Sequence, residues 1–257
     1  MKRLMVLFIL IMIVVVGLKA ENELLKDRYK KAITAYNTKN FEKALNHFKF
    51  IENQSVKQAD LFYNIGNCYY RLNNLGYAVL YYKRALRLDP LHEQAKKNLK
   101  LMYSLREDKT VEKDKSFIVK TAHNIYRKIS INLIAVLLLV DFALIVILID
   151  IIIIRFRNRD KSTPVLFITI FLVLFVAFAI VGYTKWNSYA NNNEAVIVAK
   201  TAIAYSGPAE DYQRKFTIHQ GMDFKIVKKL DQWCQIKLRN GWSGWIKSSL
   251  FKKVVKE

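Results

Sequence analysis

Two apolar runs do most to limit what this chain can become. INLIAVLLLVDFALIVILIDIIII (131–154) and PVLFITIFLVLFVAFAIVGYT (164–184) are each long enough to cross a bilayer, which takes about 20 residues. The loop between them, 155–163, carries Arg155, Arg157, Arg159 and Lys161. So basic a short loop belongs on the cytoplasmic side, which makes the two runs a hairpin and puts both flanking parts outside the cytoplasm. Residues 1–20 agree: Lys2 and Arg3 precede an apolar run that ends in Gly17 to Ala20, the pattern of a signal peptide or an uncleaved signal anchor. Lys120, Arg127 and Lys128, just before the first run, pull the other way, and the leader and the loop together outweigh them.

The first run contains two acids. Asp150 lies near the cytoplasmic end, while Asp141 lies near mid-membrane, where a charge costs about 2.5–3.5 kcal/mol on insertion scales. Nine residues at roughly 100° each put them on opposite helix faces. Asp141 is a candidate contact to a membrane partner helix, and a neutral acid bonded within the hairpin is the plainer alternative.

Upstream lies a self-similar segment. ADLFYNIGNCYYRLNNLGYAVLYYKRALRLDP (59–90) places Phe62, Ile65, Gly66, Tyr69, Ala78, Tyr82, Ala85 and Pro90 at the offsets of two antiparallel helices. Gly66 and Ala78 are small where the helices cross, the large residues fill the space beside them, and Pro90 cannot continue the second helix. This pattern resembles a tetratricopeptide (TPR) repeat. A shift of 34 places Ala32 on Gly66, Ala44 on Ala78 and Phe48 on Tyr82, a weaker first copy. The expected TPR domain, 21–106, has repeats at about 25–58 and 59–92 and a capping helix at 92–106, because one repeat cannot bury its apolar face alone. Its concave groove is expected to hold Lys26, Tyr29, Ile33, Tyr36 and Asn37 from the first repeat and Asp60, Tyr63, Asn67, Tyr70 and Arg71 from the second. Such a mixed surface suits an extended peptide or a partner helix. Packing between repeats is the other role that fits the tyrosines and Ile33.

Residues 107–130 are a charged linker followed by Ile118, Ala122, Ile125 and Ile129 at helical spacing, a candidate interfacial helix. Residues 190–257 read as short strands with turns. Asn240-Gly241 between alternating strands predicts a two-residue hairpin. The turns Ser206-Gly207-Pro208 and His219-Gln220-Gly221 and the series Trp233, Gly241, Gly244, Trp245 resemble a bacterial SH3-like barrel. Tyr205, Tyr212, Trp233 and Trp242 are its candidate binding surface, for a peptide or for peptidoglycan. Rim and core packing is the alternative, favoured for Trp233 and Trp245.

The net charge of +21 is spread over every soluble segment, which argues against a nucleic-acid face and is compatible with anionic lipid or cell-wall polymer. Cys68 and Cys234 stand at small-residue core positions. The four histidines are scattered, and there is no HExxH, phosphate loop, GxGxxG or nucleophile elbow. The expectation is a protein with no catalytic site, metal or cofactor.

Leader, short TPR array, two-span hairpin with a basic loop, and SH3-like barrel, in that order, resemble the BatE-like proteins of the Bat aerotolerance operon family. The resemblance implies a non-enzymatic scaffold in the bacterial inner membrane with both soluble domains in the periplasm. It also implies neighbouring Bat membrane proteins with von Willebrand factor A domains and, through them, a MoxR-type ATPase. A peptidoglycan-binding envelope protein is the second expectation.

Overall fold

The computed structural model describes residues 23–108, 116, 121, 126, 129–155, 162–190 and 193–255. The leader 1–20, most of segment 107–130 and most of loop 155–163 lie outside them. The described residues form seven helices and a seven-stranded antiparallel sheet. They divide into two compact units, one within Met1–Glu112 and Asn193–Glu257, the other within Lys113–Asn192. The first unit therefore joins both ends of the chain around an inserted hairpin.

In the first unit α1 (23–37) and α2 (Phe41–Asn53) make one repeat, α3 (Ala59–Arg71) and α4 (Leu75–Leu88) the next, and α5 (Glu93–Leu105) closes the array. The 34-residue period reaches into the turns. Lys39 (φ 62°) and Asn73 (φ 57°) both take the left-handed conformation. Each is followed by an asparagine that caps the next helix: the Asn40 and Asn74 side-chain oxygens accept from the Lys43 and Tyr77 amides, both at 3.2 Å. Asn74→Ala should lower stability by about 1 kcal/mol in denaturant unfolding of the detergent-solubilised chain, and Asn74→Gly by only a few tenths. At the helix crossing, a Cβ on Gly66 would stand 2.8 Å from the Tyr82 ring. The small residue is thus required there, as the sequence pattern implies.

Helix α4 is buried nearly all round: Ala78, Tyr82 and Ala85 face the array, and Gly76, Val79, Leu80 and Lys83 are buried as well. The β domain accounts for this. Its strands are β1 (Glu194–Ile197), β2 (Thr201–Tyr205), β3 (Arg214–His219), β4 (Asp223–Leu230), β5 (Trp233–Lys237), β6 (Ser243–Lys247) and β7 (Phe251–Lys253). Their order is β3-β2-β6-β5-β4-β1-β7. The sheet fits an SH3-like domain, but it is not the closed barrel expected, because β3 and β7 remain its edges. One face packs Ile197, Phe224, Ile236, Ile246 and Phe251 into its own core, whereas Val196 and Val254 join the core of the helical array. A Cβ on Gly76 would lie 2.7 Å from the Ile197 carbonyl oxygen, so the β1 backbone runs directly against α4.

Charged groups seal this joint. Lys83 Nζ lies 2.6 Å from Glu194 and 2.9 Å from Asp223. Asp223, 1% exposed, also receives Arg106 Nη1 at 3.1 Å and Arg239 Nη2 at 2.7 Å. Burial alone would push the Asp223 carboxyl up, but Lys83 and Arg239 outweigh it and hold the group well below the usual carboxylate range. Burial would likewise lower Lys83, yet Tyr103, Asp223 and Glu194 raise it above an ordinary lysine. Arg84 adds a second tie, donating to the Val254 and Lys253 carbonyls, both at 3.1 Å, and to Glu52 on α2 at 3.3 Å. At the end of the array Asp108 takes the His219 backbone N–H (2.6 Å) and faces its ring (3.1 Å). That contact raises the His219 pKa.

Asn240-Gly241 departs from the two-residue turn expected. Leu238 N–H donates to the Trp242 carbonyl at 2.8 Å and Gly241 N–H to the Leu238 carbonyl at 3.1 Å, which leaves a three-residue loop. Only Gly241 takes a positive φ (95°), whereas a two-residue type I′ turn needs two such residues.

The second unit is an antiparallel hairpin of α6 (Ile131–Arg155) and α7 (Ser162–Ala190). Within them Ile131–Ile154 and Val165–Asn187 are long and apolar enough to cross a membrane, each with mean hydropathy 3.1. The α6 seam repeats every three or four residues through Ile134, Leu138, Asp141, Ile145, Leu148 and Ile152, all buried or half-buried. Phe171, Phe175, Phe178 and Gly182 answer from α7.

Candidate protein-interaction site

Side-chain bonds join α1 to α3 through Tyr29 and Asn64 and α3 to α5 through Asn67 and Asn98, and the expected groove residues on these helices fall into two groups. Towards α5, Asn67 Oδ1 accepts from the Tyr82 hydroxyl (2.8 Å) and from Asn98 Nδ2 (3.0 Å). Tyr63 packs between Tyr82 and His92, at ring separations of 6.0 and 4.9 Å. The largely exposed Asp60 lies 3.2 Å from His92 Nε2. His92 Nδ1 caps α5 by accepting from the Ala95 amide, so Nε2 carries the proton that Asp60 accepts. Towards the turns, the exposed Arg71 donates from Nε to the Tyr36 hydroxyl at 3.4 Å and lies 6.0 Å over Tyr70 and 5.9 Å over Phe41.

Tyr29 bridges the repeats: its hydroxyl accepts from Asn64 at 2.7 Å and its ring stands edge-on to Phe48. Ile33 packs half-buried against the core. Tyr29, Ile33, Tyr63 and Asn67 are therefore committed in large part to holding the array, while Asp60, Tyr70 and Arg71 present their side chains outward. Asn64, His92 and Asn98, which the sequence analysis did not single out, hold Tyr29, Asp60 and Asn67 in place. A low-resolution signal was present, since Asn64 and Asn98 lie 34 apart and His92 follows Pro90.

The four β-domain aromatics do not form one cluster. Tyr205 is buried edge-on to Trp233, which Lys247 covers at 5.8 Å. Half-exposed Tyr212 lies over Gly207, where a Cβ would meet its ring at 2.5 Å. Trp242, 57% exposed, packs on Phe216 at 5.4 Å. Asp141 is 5% exposed in the hairpin seam, with its Oδ2 unbonded among the described residues, while Asp150 points outward. Both thiols are free and buried, and burial pushes Cys68 up to about 12 and raises Cys234, so neither is poised for reaction.

Comparison with known families agrees with the two folds. Residues 59–91 match the tetratricopeptide repeat model. Residues 198–253 match the bacterial SH3 domain. No curated protein sequence matches the chain. Both modules are of typically non-catalytic kinds, and with the two apolar helices they support a protein-interaction role in the cell envelope.

Proposed function

We propose that the chain is a membrane-anchored, non-enzymatic scaffold, BatE-like, whose TPR groove holds a periplasmic segment of another protein in the bacterial inner membrane. The shared core of array and sheet carries the reading. Two segments separated by residues 113–192 can pack together only on one side of a bilayer, which requires an even number of crossings between them, and α6 and α7 supply two. The basic loop and the leader argue that this side is the periplasm. Bat membrane proteins with von Willebrand factor A domains, and through them a MoxR-type ATPase, are the partners the resemblance favours. With one body carrying both modules, a partner held in the groove is also held beside the sheet. Nucleic acid has no place in this account.

Crosslinking in intact membranes followed by affinity recovery tests it. Tyr70→Ala with Arg71→Glu alters the outward part of the groove without touching the Asn67–Tyr82–Asn98 bonds. Recovery of the partner should fall at least tenfold, with chain abundance unchanged. Full recovery from that variant removes the groove from the account.

The exposed Trp242 and Tyr212 favour a second reading, peptidoglycan binding by the SH3-like domain. It is tested by sedimenting the detergent-solubilised chain with purified cell wall, because the isolated β domain would expose Val196 and Val254. Wall binding that Trp242→Ala abolishes supports it, and a chain that stays in the supernatant ends it.

A further inference from the structure

We propose that the outer face of the β4–β5 hairpin docks on anionic phospholipid headgroups of the membrane in which the chain is anchored. The inference rests on α6 and α7 spanning that membrane. From Lys225 to Lys237 the sequence has four lysines and one acid, Asp231. Cys234 and Ile236 point into the core, so Trp233, Gln235 and Lys237 share the outer face. Strand pairing adds Lys225 opposite Lys237, Lys228 opposite Gln235 and Leu230 opposite Trp233. Like charges directly opposite on neighbouring strands are destabilising in water. Lys225 also stands opposite Glu194 on β1, whose carboxylate is held by Lys83 at 2.6 Å, while Lys228 and Lys237 face no carboxylate across the pairing of the described strands, so the face fits an anion supplied from outside.

The apolar side chains decide which anion. Val227 is 58% exposed and Leu230 45%, beside the half-buried Trp233. Cations along the same hairpin face as aliphatic side chains and a tryptophan match the headgroup region, where lysines meet phosphates and apolar groups enter the acyl boundary. An extended acidic protein segment would give those aliphatic groups no comparable apolar layer. The tether is also short. Six residues separate Asn187, the end of the second span, from Glu194, the start of β1, a reach of at most about 25 Å.

The test uses the full chain in nanodiscs of phosphatidylcholine alone or mixed with phosphatidylglycerol, with a spin label at Leu230→Cys. Cys68 and Cys234 are buried, so the label goes to the new thiol. The label should move from water into the headgroup layer when phosphatidylglycerol is added and return at high salt. Lys225→Gln, Lys228→Gln and Lys237→Gln together should lower the docked-to-free ratio about 100-fold, each lysine near an anionic surface contributing roughly fivefold. Equal water exposure in both lipids, or lipid contact that survives the triple variant, overturns the proposal. A second label at Leu139→Cys, on the outward face of α6, separates the two failures. If that label is not lipid-embedded the spanning reading fails, and if it is embedded while Leu230 stays in water only the docking fails.

Discussion

Asp223→Ala should cost about 3–5 kcal/mol of stability and free the β domain from the helical array. The carboxylate is 1% exposed and is shared by Lys83, Arg106 and Arg239. Removing it leaves Lys83 and Arg106 buried without the anion they share with Arg239, and Lys83 keeps only Tyr103 and Glu194 to offset its desolvation. The Lys83→Ala change should then cost much less in the Asp223→Ala background than alone, with a coupling of about 1–3 kcal/mol in a double-mutant cycle. The pH dependence follows from the same group. Its folded pKa lies below the ordinary 3.8, so its contribution is complete above that value and disappears as pH falls through the folded one. The Asp223 contribution should therefore hold across neutral pH and be lost only in acid, where Asp223→Asn should remove the step, whereas the His219–Asp108 contact weakens as pH rises through the raised His219 pKa. Unfolding midpoints against pH, read with a probe in each domain, check both. Coincident, unshifted transitions in Asp223→Ala would mean that the charged joint contributes nothing.

Gly76→Val should separate the same two parts by a different route, at about 3 kcal/mol. A Cβ at this position would meet the Ile197 carbonyl oxygen at 2.7 Å and Val198 Cα at 2.9 Å, backbone atoms that no side-chain rotation can clear. In an isolated helix any residue but proline is a better helix former than glycine, by up to about 1 kcal/mol. A change that improves α4 yet lowers the stability of the chain therefore reports the β1 backbone against it. Proteolysis should show the β domain cut early while the array stays resistant. A stabilised variant would mean that α4 faces water at Gly76.

The repeat was legible because it is local. Gly66, Ala78, Tyr82 and Pro90 each answer to a contact or a stop within 34 residues, and the structure places Tyr82 against Gly66 accordingly. The alternation Cys234, Gln235, Ile236 fixed which side of β5 faces inward for the same reason. The joint between the domains was not legible. Lys83 and Asp223 each look like a solvated charge in their own segment, and only the fold brings them to 2.9 Å. A partial signal existed in LGYAVLYY, which is apolar all round where an outer repeat helix should show one polar face. In the groove, helical spacing identified the face but could not assign Tyr29 and Asn67 to internal bonds, because Asn64 and Asn98 come from helices whose register only the stacked array defines.

One measurement bears on both halves of the account, the single body and its side of the membrane. Protease sites are placed in the two connectors, one after Asp108 and one before Glu194, and the protease is added outside sealed spheroplasts. Both sites should be cut, and after detergent extraction the array and the β domain should elute together as one particle at neutral pH, separated from the hairpin. In Asp223→Ala the same cut should release two separate fragments. Cleavage at one connector alone, or two separate fragments from the unaltered chain, would contradict the account.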